Sequence, residues 1–366
     1  MDISQIRKPT ILINEAIARE NIFFMAEKAR KAGVIFRPHF KTHQSATIGE
    51  WFREAGVERI TVSSVTMCRF FASQGWSDIT IAFPANPREI EAINEIAGRI
   101  RLNLIATGFE HLASFAWNFS GEAGLYIKID TGYRRSGVDW NRYGDLVRII
   151  DLAEETGSLR IRGLLTHSGH TYSAKDSMHV LSIFEDTRTK MLHTKEILPE
   201  HNLSISIGDT PSCSLAPDFK GIDEIRPGNF VFYDLMQTAI GSCHPGQIAL
   251  SVACPVVSVY RDRKEAIIYG GAVHLSKEFL PMEDNTRNYG LVVSLDKKGW
   301  YTDSVIGHVR SVSQEHGIVA LSENGGDKLT SGDLVAVIPV HSCLTADLLR
   351  SYTTLDGREI NDLSGK

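Results

Sequence analysis

A short segment near the amino terminus concentrates side chains that can do chemistry. Residues 37–43 contain Lys41 together with an arginine and two histidines. A lysine whose ammonium group is desolvated has a lowered pKa, and its amine then attacks the carbonyl groups of substrates or cofactors. The alternative interpretation is an ordinary lysine in a polar loop. The other basic side chains favour the chemical interpretation, provided that Lys41 lies on a strand that faces a buried interior.

A second segment places a histidine and a cysteine two residues apart. If residues 339–343 form a strand, His341 and Cys343 point to the same face and can share one metal ion. An imidazole beside a thiolate favours Zn²⁺. Because two protein ligands are too few for a structural zinc, the spacing predicts an open site that water or substrate completes. An ordinary strand without a metal explains the same spacing.

The elements that position these groups follow from the pattern of apolar runs. Between residues 34 and 233, short β-branched runs alternate with amphipathic stretches at helical spacing. Alternating strands and helices indicate a parallel sheet, and eight such units indicate closure into a barrel. An open doubly wound sheet is disfavoured because no G-x-G-x-x-G segment follows the first strand. The predicted strands are 34–36, 59–62, 78–83, 102–105, 125–129, 161–165, 204–207 and 224–231.

The pattern of predicted strands and helices changes after residue 234. Six further β-rich runs follow, with turns and no convincing helix between them. They are 252–259, 265–269, 291–295, 307–312, 318–321 and 334–338. We therefore predict an α/β fold with a (β/α)8 TIM-type barrel over residues 14–235. A C-terminal β-rich domain over 236–366, with 1–13, would carry the metal pair, and residues 10–13 would be an extra strand of it.

The carboxyl ends of the predicted barrel strands carry many chemical groups. Because barrel enzymes bind their ligands at that end, these residues are the candidates for catalysis and cofactor binding. They are Arg135 after the fifth strand, His167 and Tyr172 after the sixth, Gly208, Asp209 and Thr210 after the seventh, and Tyr233 and Asp234 after the eighth.

The loop after the seventh strand suggests phosphate binding. It combines a glycine, backbone amides and a hydroxyl, and barrels commonly hold a phosphate between the loops after strands seven and eight. Asp209 as an ordinary helix N-cap is the alternative. His167 can stack on a planar ligand or act as a base, and Arg135 can reach a phenolate or a carboxylate. Both residue types are also common in structural roles.

Taken together, these residues resemble the alanine-racemase-like (fold type III) pyridoxal-phosphate enzymes, and within them the D-threonine aldolase/D-serine dehydratase family. Segment 37–43 is similar to the family's cofactor-lysine segment, 341–343 to its metal pair, and 130–137 to a segment shared with alanine racemases. The resemblance covers nearly the whole chain. It implies pyridoxal 5'-phosphate bound through Lys41, with His167, Tyr172 and the loops after strands seven and eight around it. It also implies a divalent metal on His341 and Cys343, with Zn²⁺ favoured over Mn²⁺ or Mg²⁺, and a homodimer with sites between domains of opposite subunits.

The resemblance further implies a lyase that acts on β-hydroxy-D-amino acids. Elimination to a 2-keto acid and ammonia is the dehydratase reaction, whereas cleavage between Cα and Cβ to glycine and an aldehyde is the aldolase reaction. Cys343 favours the dehydratase, because the aldolases of this family tend to have a carboxylate there. An amino-acid racemase needs no metal pair, and non-catalytic pyridoxal-phosphate-binding proteins of this fold type usually lack a second domain; both are disfavoured.

The composition disfavours several other classes of protein. Lys and Arg number 39 against 44 Asp and Glu, a net charge of −5 without a basic block, so neither nucleic acid nor an anionic membrane is an expected partner. No apolar run approaches the roughly 20 residues that span a bilayer, and residues 1–7 do not resemble a secretory leader. Five scattered cysteines fit a reducing compartment. We therefore expect a cytoplasmic protein, and the resemblance implies that its partner is a small-molecule D-amino acid.

Overall fold

The structure is a computed structural model that describes residues 3–323, 325 and 329–363. The chain divides into two compact units, of which one comprises residues 23–228 and the other residues 1–22 with 229–366. The ends of the predicted C-terminal domain, 1–2 and 364–366, lie outside the described residues. Strand β1 (Thr10–Ile13) and helix α1 (Glu15–Ala32) come first in the chain.

The unit 23–228 is built on eight parallel strands with helices between them. In sheet order they run β2-β10-β9-β8-β6-β5-β4-β3, with β7 paired beside β6. Their bounds are β2 (Ile35–Phe36), β3 (Ile60–Val62), β4 (Asp78–Pro84), β5 (Arg101–Ala106), β6 (Ala123–Asp130), β7 (Val138–Asp139), β8 (Leu159–Leu165), β9 (Ser204–Ile207) and β10 (Glu224–Ile225). The intervening helices are α2 (Ala46–Glu54), α3 (Val65–Ser73), α4 (Ile90–Ala97), α5 (Phe109–Ala116), α6 (Tyr143–Thr156), α7 (Ser177–Glu196) and α8 (Thr210–Leu215).

Residues just beyond β2 bring the two edges of this sheet together. His39 forms a parallel bridge with Thr61 of β3, the Phe40 N–H donates to the Thr61 carbonyl at 2.8 Å, and the Thr61 N–H donates to the Pro38 carbonyl at 2.9 Å. Strand β6 is buried over almost its whole length, which is typical of a parallel strand covered on both faces. The predicted barrel is confirmed.

The eighth barrel strand is shorter than predicted. Strand β10 ends at Ile225, and residues 229–231 form a single 3-10 turn rather than a continuation of the strand. Pro227 has no backbone N–H to donate to a neighbouring strand, which explains why the ladder stops here. The extension of this strand to residue 231 was therefore wrong.

The other unit contains a nine-stranded sheet of order β12-β17-β16-β15-β18-β11-β1-β19-β20, in which β11 also pairs with β12. The strands are β11 (Leu250–Tyr260), β12 (Glu265–Tyr269), β13 (Leu280–Pro281), β14 (Arg287–Asn288), β15 (Gly290–Asp296), β16 (Gly299–Val312), β17 (His316–Leu321), β18 (Leu334–Pro339), β19 (Ser351–Thr354) and β20 (Glu359–Asn361). Its helices are α9 (Leu235–Ala239), α10 (Ala272–Leu275) and α11 (Ser342–Leu349). β13 and β14 form a separate two-stranded sheet.

All six β-rich runs predicted for this unit are strands. The predicted extra strand is confirmed as well, since β1 lies between β11, to which it is antiparallel, and β19, to which it is parallel. Helix α11 was missed, because its eight residues are too few to show a clear helical period. None of the helices in the described part of the chain has the length and apolarity needed to span a bilayer.

Candidate active site

Lys41 lies in the turn that follows the bridge residue His39, not within a strand. Its side chain is exposed. The expectation that Lys41 lies within the first strand was therefore wrong, because β2 ends at Phe36 and residues 40–43 form a turn. The turn nevertheless begins at the carboxyl end of the first barrel strand, where ligands bind in this architecture.

Two histidines lie in the electrostatic field of Lys41. Burial first, and then the positive charges of Lys41 and Arg135 among others, hold the pKa values of His39 and His167 well below the usual range. The Nδ1 atom of His167 is paired with the carbonyl oxygen of Gly208, so that nitrogen carries the proton and donates it. The Lys41 N–H donates to Nδ1 of His39 at 3.4 Å. Both imidazoles are therefore neutral at physiological pH.

Arg135 follows β6 in the turn 131–137 and is exposed. Its guanidinium carbon lies 5.2 Å from the centre of the Tyr133 ring, which itself lies 6.2 Å from the ring of His167. The Tyr133 ring also covers Gly169, where a Cβ atom would come within 2.3 Å of it. The structure thus places Arg135, His167 and Lys41 close enough to influence one another at one end of the barrel.

The loop after β9 is held by Asp209. Its carboxylate accepts the Ser212 N–H at 2.7 Å and the Thr171 hydroxyl at 3.0 Å, so it caps helix α8. Burial raises the pKa of Asp209 to about 6, although these hydrogen bonds oppose the shift. The N-cap interpretation of Asp209 is confirmed, and its carboxylate acts on the loop itself.

Two further candidates meet in the same loop. The Thr210 N–H donates to the hydroxyl of Tyr172 at 3.3 Å. The hydroxyl of Ser212 is buried and meets no hydrogen-bond partner among the described residues. Gly208 precedes the loop and packs so closely that a Cβ atom would lie 2.8 Å from Cβ of Arg226. A buried hydroxyl without a protein partner, at the end of the barrel, is suited to an oxyanion ligand.

Tyr233 and Asp234 belong to the other compact unit. Tyr233 is buried and has a left-handed backbone, with φ of 50°. Asp234 caps α9 by accepting the Gln237 N–H at 3.0 Å, and its second oxygen accepts the Ser342 N–H, also at 3.0 Å. The Asp234 carboxylate thus joins α9 to the segment that carries the predicted metal pair.

His341 and Cys343 do not lie on a strand, contrary to the prediction. Strand β18 ends at Pro339, His341 is the N-cap residue of α11, and Cys343 lies in the first turn of that helix. The two side chains are nevertheless hydrogen-bonded to each other. Within the described parts of the chain, no group of three or more His, Cys, Asp and Glu side chains is placed to hold a metal. If a metal binds here, this chain supplies the two-ligand open site that the spacing suggested.

Two buried cations of the barrel were missed in the sequence. Lys128 lies on β6, where burial and the charges of Arg226 and Arg135 lower its pKa to about 7. Arg226 donates to the Ser206 hydroxyl at 2.7 Å and to the Thr166 carbonyl at 2.5 Å. Lys128 could have been recognised in the sequence, because it is a lysine within an otherwise apolar predicted strand. Arg226 follows the two-residue strand β10 and had no such signal.

Comparison with known proteins identifies the family. Residues 13–235 match the family model described as alanine racemase, N-terminal domain, and residues 249–355 match the one described as putative serine dehydratase domain. A D-serine dehydratase of Dictyostelium discoideum is 30% identical over 97% of this chain and 95% of its own length. The chain belongs to the D-serine dehydratase family of alanine-racemase-like proteins. The predicted family is confirmed, and with it the lyase class.

Solved structures of this family and its neighbours have the same fold. The D-threo-3-hydroxyaspartate dehydratase of Delftia sp. HT23 superposes with a TM-score of 0.89 at 25% identity, covering 98% of both chains. A cysteine-to-alanine mutant of that enzyme was solved in a metal-free form. A D-threonine aldolase from Filomicrobium marinum, with a TM-score of 0.82 and 18% identity over 99% of this chain and 96% of its own, shares the fold.

The barrel residues fit the cofactor of this family. Pyridoxal phosphate needs a lysine for its aldehyde and donors for its phosphate, and the barrel end offers Lys41 and the buried hydroxyl of Ser212, which has no hydrogen-bond partner within the described part of the chain. The metal site fits less completely: the described residues include no group of three or more His, Cys, Asp and Glu placed to hold a metal, and the imidazole of His341 and the thiol of Cys343 are ligands that suit Zn²⁺.

Proposed function

We propose that this protein is a pyridoxal-phosphate- and divalent-metal-dependent dehydratase. It removes the β-hydroxyl group of a hydroxy-D-amino acid and releases a 2-keto acid and ammonia. The observation that carries the proposal is the adjacency of His341 and Cys343 in a chain that aligns over nearly its full length with D-serine dehydratase. A hydroxyl is a poor leaving group, and a metal ion acting as a Lewis acid makes it a better one.

Each of the barrel residues has a separate role in the proposed reaction. Pyridoxal phosphate, when bound, supplies an electron sink for the charge that develops at the substrate Cα. Lys41 would hold the cofactor and would take the proton from Cα, since the turn that carries it follows the carboxyl end of the first barrel strand. His167 stays neutral and is oriented by Gly208, so it offers a flat face and one nitrogen to the cofactor. Arg135 supplies a positive charge for a phenolate or carboxylate oxygen.

The loops after β9 and β10 supply the phosphate end of the site. We assign to it Gly208, Thr210, Tyr172 and Tyr233, with Asp209 and Asp234 as the capping residues that hold the loops. Tyr233→Phe is expected to weaken cofactor retention more than it alters substrate preference, because it removes one hydroxyl donor. Dialysis and reconstitution measure this, and unchanged cofactor affinity would contradict the assignment of Tyr233.

The metal site uses His341 and Cys343, with water and substrate in the remaining positions. Zn²⁺ is the ion we propose, since a nitrogen and sulfur pair favours it over Mn²⁺ or Mg²⁺, which prefer oxygen ligands. The same site can in principle promote cleavage between Cα and Cβ. We favour elimination because Cys343 is not the carboxylate expected of an aldolase.

The reaction type is tested with purified holoenzyme. D-serine, D-threonine and D-threo-3-hydroxyaspartate are each incubated with and without a chelator, and keto acid and aldehyde are measured separately. We expect keto acid from at least one substrate, and loss of turnover after chelation while the visible absorption of the bound cofactor persists. Aldehyde as the main product would replace the dehydratase by the aldolase. Full turnover without bound metal would contradict the role of His341 and Cys343.

The identity of the cofactor lysine is tested by chemistry on the protein itself. Borohydride should fix the cofactor to the peptide that contains Lys41, as shown by mass spectrometry. Lys128 is the matched control, because its amine is buried on β6 and has a pKa of about 7. Labelling of Lys128 or of any other lysine in place of Lys41 would refute the assignment.

We also propose that the protein is a cytoplasmic homodimer. All five cysteines are free thiols, which is typical of a reducing compartment. The dimer follows from the resemblance to alanine-racemase-like enzymes. Sedimentation of the holoenzyme at about twice the chain mass of 40.6 kDa is the expected result, and a monomer that is fully active would contradict it.

A further inference from the structure

The imidazole of His341 is held from both sides. Its Nδ1 atom lies 2.8 Å from a carboxylate oxygen of Glu278, and the side chain of Cys343 is its second hydrogen-bond partner. Glu278 lies in the loop between α10 and β13, more than sixty residues from His341 in sequence. With Nδ1 donating to a carboxylate, the other ring nitrogen, Nε2, is the one directed to a metal.

The thiol of Cys343 also has a specific neighbour. The side-chain amide of Asn229 donates one N–H to Asp234 at 2.6 Å and shares its second N–H between the Ser342 hydroxyl at 3.1 Å and Sγ of Cys343 at 3.5 Å. Asp234 in turn accepts the Ser342 N–H. Because Asn229 and Asp234 are buried, these bonds fix the first turn of α11 and place the shared N–H of Asn229 beside the sulfur.

We propose that Glu278 and Asn229 are positioning residues for the two metal ligands, Glu278 for His341 and Asn229 for Cys343. The inference rests on the metal site of the proposed function. A carboxylate behind an imidazole fixes its tautomer and ring orientation and raises its basicity toward a metal, and an N–H beside a thiolate stabilises its negative charge. Without these contacts, the side chains of His341 and Cys343 at the N-terminus of α11 would rotate independently of each other.

A purely structural role for Glu278 is a weaker explanation. Its side chain is 43% exposed, and the loop that carries it is on the surface. Partly exposed ion pairs contribute little to stability. The loss of the Glu278 carboxylate should therefore be felt in metal binding and hardly in thermal stability.

The experiment measures Co²⁺ binding to holoenzyme from which the native metal has been removed. Co²⁺ substitutes for Zn²⁺ and reports a bound thiolate through a sulfur-to-cobalt charge-transfer band. Glu278→Ala is expected to weaken Co²⁺ binding by roughly 10- to 100-fold. Glu278→Gln is expected to restore most of that loss, because the amide oxygen still accepts the Nδ1 proton. The thermal midpoint should be the same in all three proteins.

Glu315→Ala is the matched control. Glu315 pairs with another histidine of the same unit, His274, at 3.6 Å, and neither is a candidate ligand. The affinity of the Glu315→Ala protein for Co²⁺ should equal that of the wild type. Equal affinity in Glu278→Ala and Glu315→Ala would overturn the role of Glu278 while leaving the proposed function intact. Absence of the charge-transfer band in the wild type would instead refute the metal site itself.

Asn229 is tested by the spectrum of the Co²⁺ protein. Asn229→Ser should shift the charge-transfer band, since the sulfur loses its N–H partner. Unchanged circular dichroism is required first, because Asn229 also binds Asp234. An unshifted band in a folded Asn229→Ser protein would overturn the role of Asn229. If this variant does not fold, Asn229→Asp replaces the N–H with an acceptor, and the same unshifted band would overturn it.

Discussion

At the scale of single residues, the barrel end is a cluster of cations around neutral imidazoles. Lys41, Arg135 and Arg226 all act on His39, and burial acts in the same direction. The consequence is that no histidine here gains a proton easily. His167 is therefore suited to contact a planar cofactor as a neutral imidazole.

The effect of burial on the pKa of a histidine can be tested at His43, which is not one of the candidate site residues. Its ring lies 4.5 Å from that of Phe40 and 5.4 Å from that of Phe52, and its Nδ1 accepts the Ser45 N–H at 3.1 Å. Burial lowers the pKa of His43 to about 3. Since the unfolded state binds a proton near pH 6.5 and the folded state only near 3, stability should fall as pH decreases through this window, by at most about 1.4 kcal/mol per pH unit.

His43→Asn should flatten that part of the pH dependence. The asparagine oxygen can still accept the Ser45 N–H, but the side chain does not titrate, at the cost of some lost packing against Phe40. Thermal unfolding midpoints between pH 4 and 7 measure the effect. His201→Asn is the control, because that imidazole lies near Glu200 and Glu154 and not in this aromatic cluster. Equal slopes for His43→Asn and the wild type would show that His43 does not limit acid stability.

At the scale of elements, helix α8 depends on its cap. Asp209→Ala should destabilise the protein by about 0.5–2 kcal/mol, because the Ser212 N–H loses its acceptor, and it should also weaken cofactor retention. Asp209→Asn should preserve most of the stability and most of the cofactor retention, since an amide oxygen accepts the same hydrogen bond. Ser64→Ala removes the cap of α3, where the Ser64 hydroxyl accepts the Met67 N–H at 3.1 Å, and should leave cofactor retention unchanged. Cofactor loss on dialysis distinguishes these variants.

The turn that carries Arg135 depends on a glycine. Gly137 has φ of +118°, and a Cβ atom there would lie 2.7 Å from the carbonyl oxygen of Lys128. Gly137→Ala should therefore cost about 1–3 kcal/mol of stability and reduce turnover by displacing Arg135. Gly157→Ala is the control: its φ is +67°, but nothing lies within 4 Å of the added atom. Full activity of Gly137→Ala would show that the turn tolerates the change.

At the scale of the whole barrel unit, a buried ionic network joins strands that are far apart in sequence. Arg37, beyond β2, contacts Asp78 of β4 and Glu224 of β10, each at 2.6 Å. Glu224 also accepts the Ser206 hydroxyl of β9 at 2.6 Å. The two carboxylates hold the pKa of Arg37 above its ordinary value despite burial.

Removal of the shared cation should be strongly destabilising. Arg37→Met leaves Asp78 and Glu224 buried with less compensation, and we expect a loss of about 3–5 kcal/mol. Arg160→Met removes an exposed pair of the same unit, with Glu122 at 3.1 Å, and should cost at most about 1 kcal/mol. Thermal or denaturant unfolding compares the two, and equal effects would show that the network contributes no more than a surface pair.

The sequence by itself determined the elements and most of the candidate residues. Eight strands could be predicted because each is a short apolar run next to an amphipathic helix, and these signals are local. The ends of those strands then located His167, Arg135 and the Asp209 loop, since the barrel architecture assigns ligands to one end. The family resemblance depended on segments of three to eight residues, which are local as well.

Only the tertiary structure decided where the individual groups lie. Lys41 lies on an exposed turn after β2, and His341 is the N-cap of a helix that begins soon after β18 ends at Pro339. Lys128 and Arg226 interact because β6 and the segment after β10 belong to one barrel, and Glu278 reaches His341 across more than sixty residues. Burial and pairing between distant segments depend on how the chain closes on itself, and a local pattern of residue types carries no information about that closure.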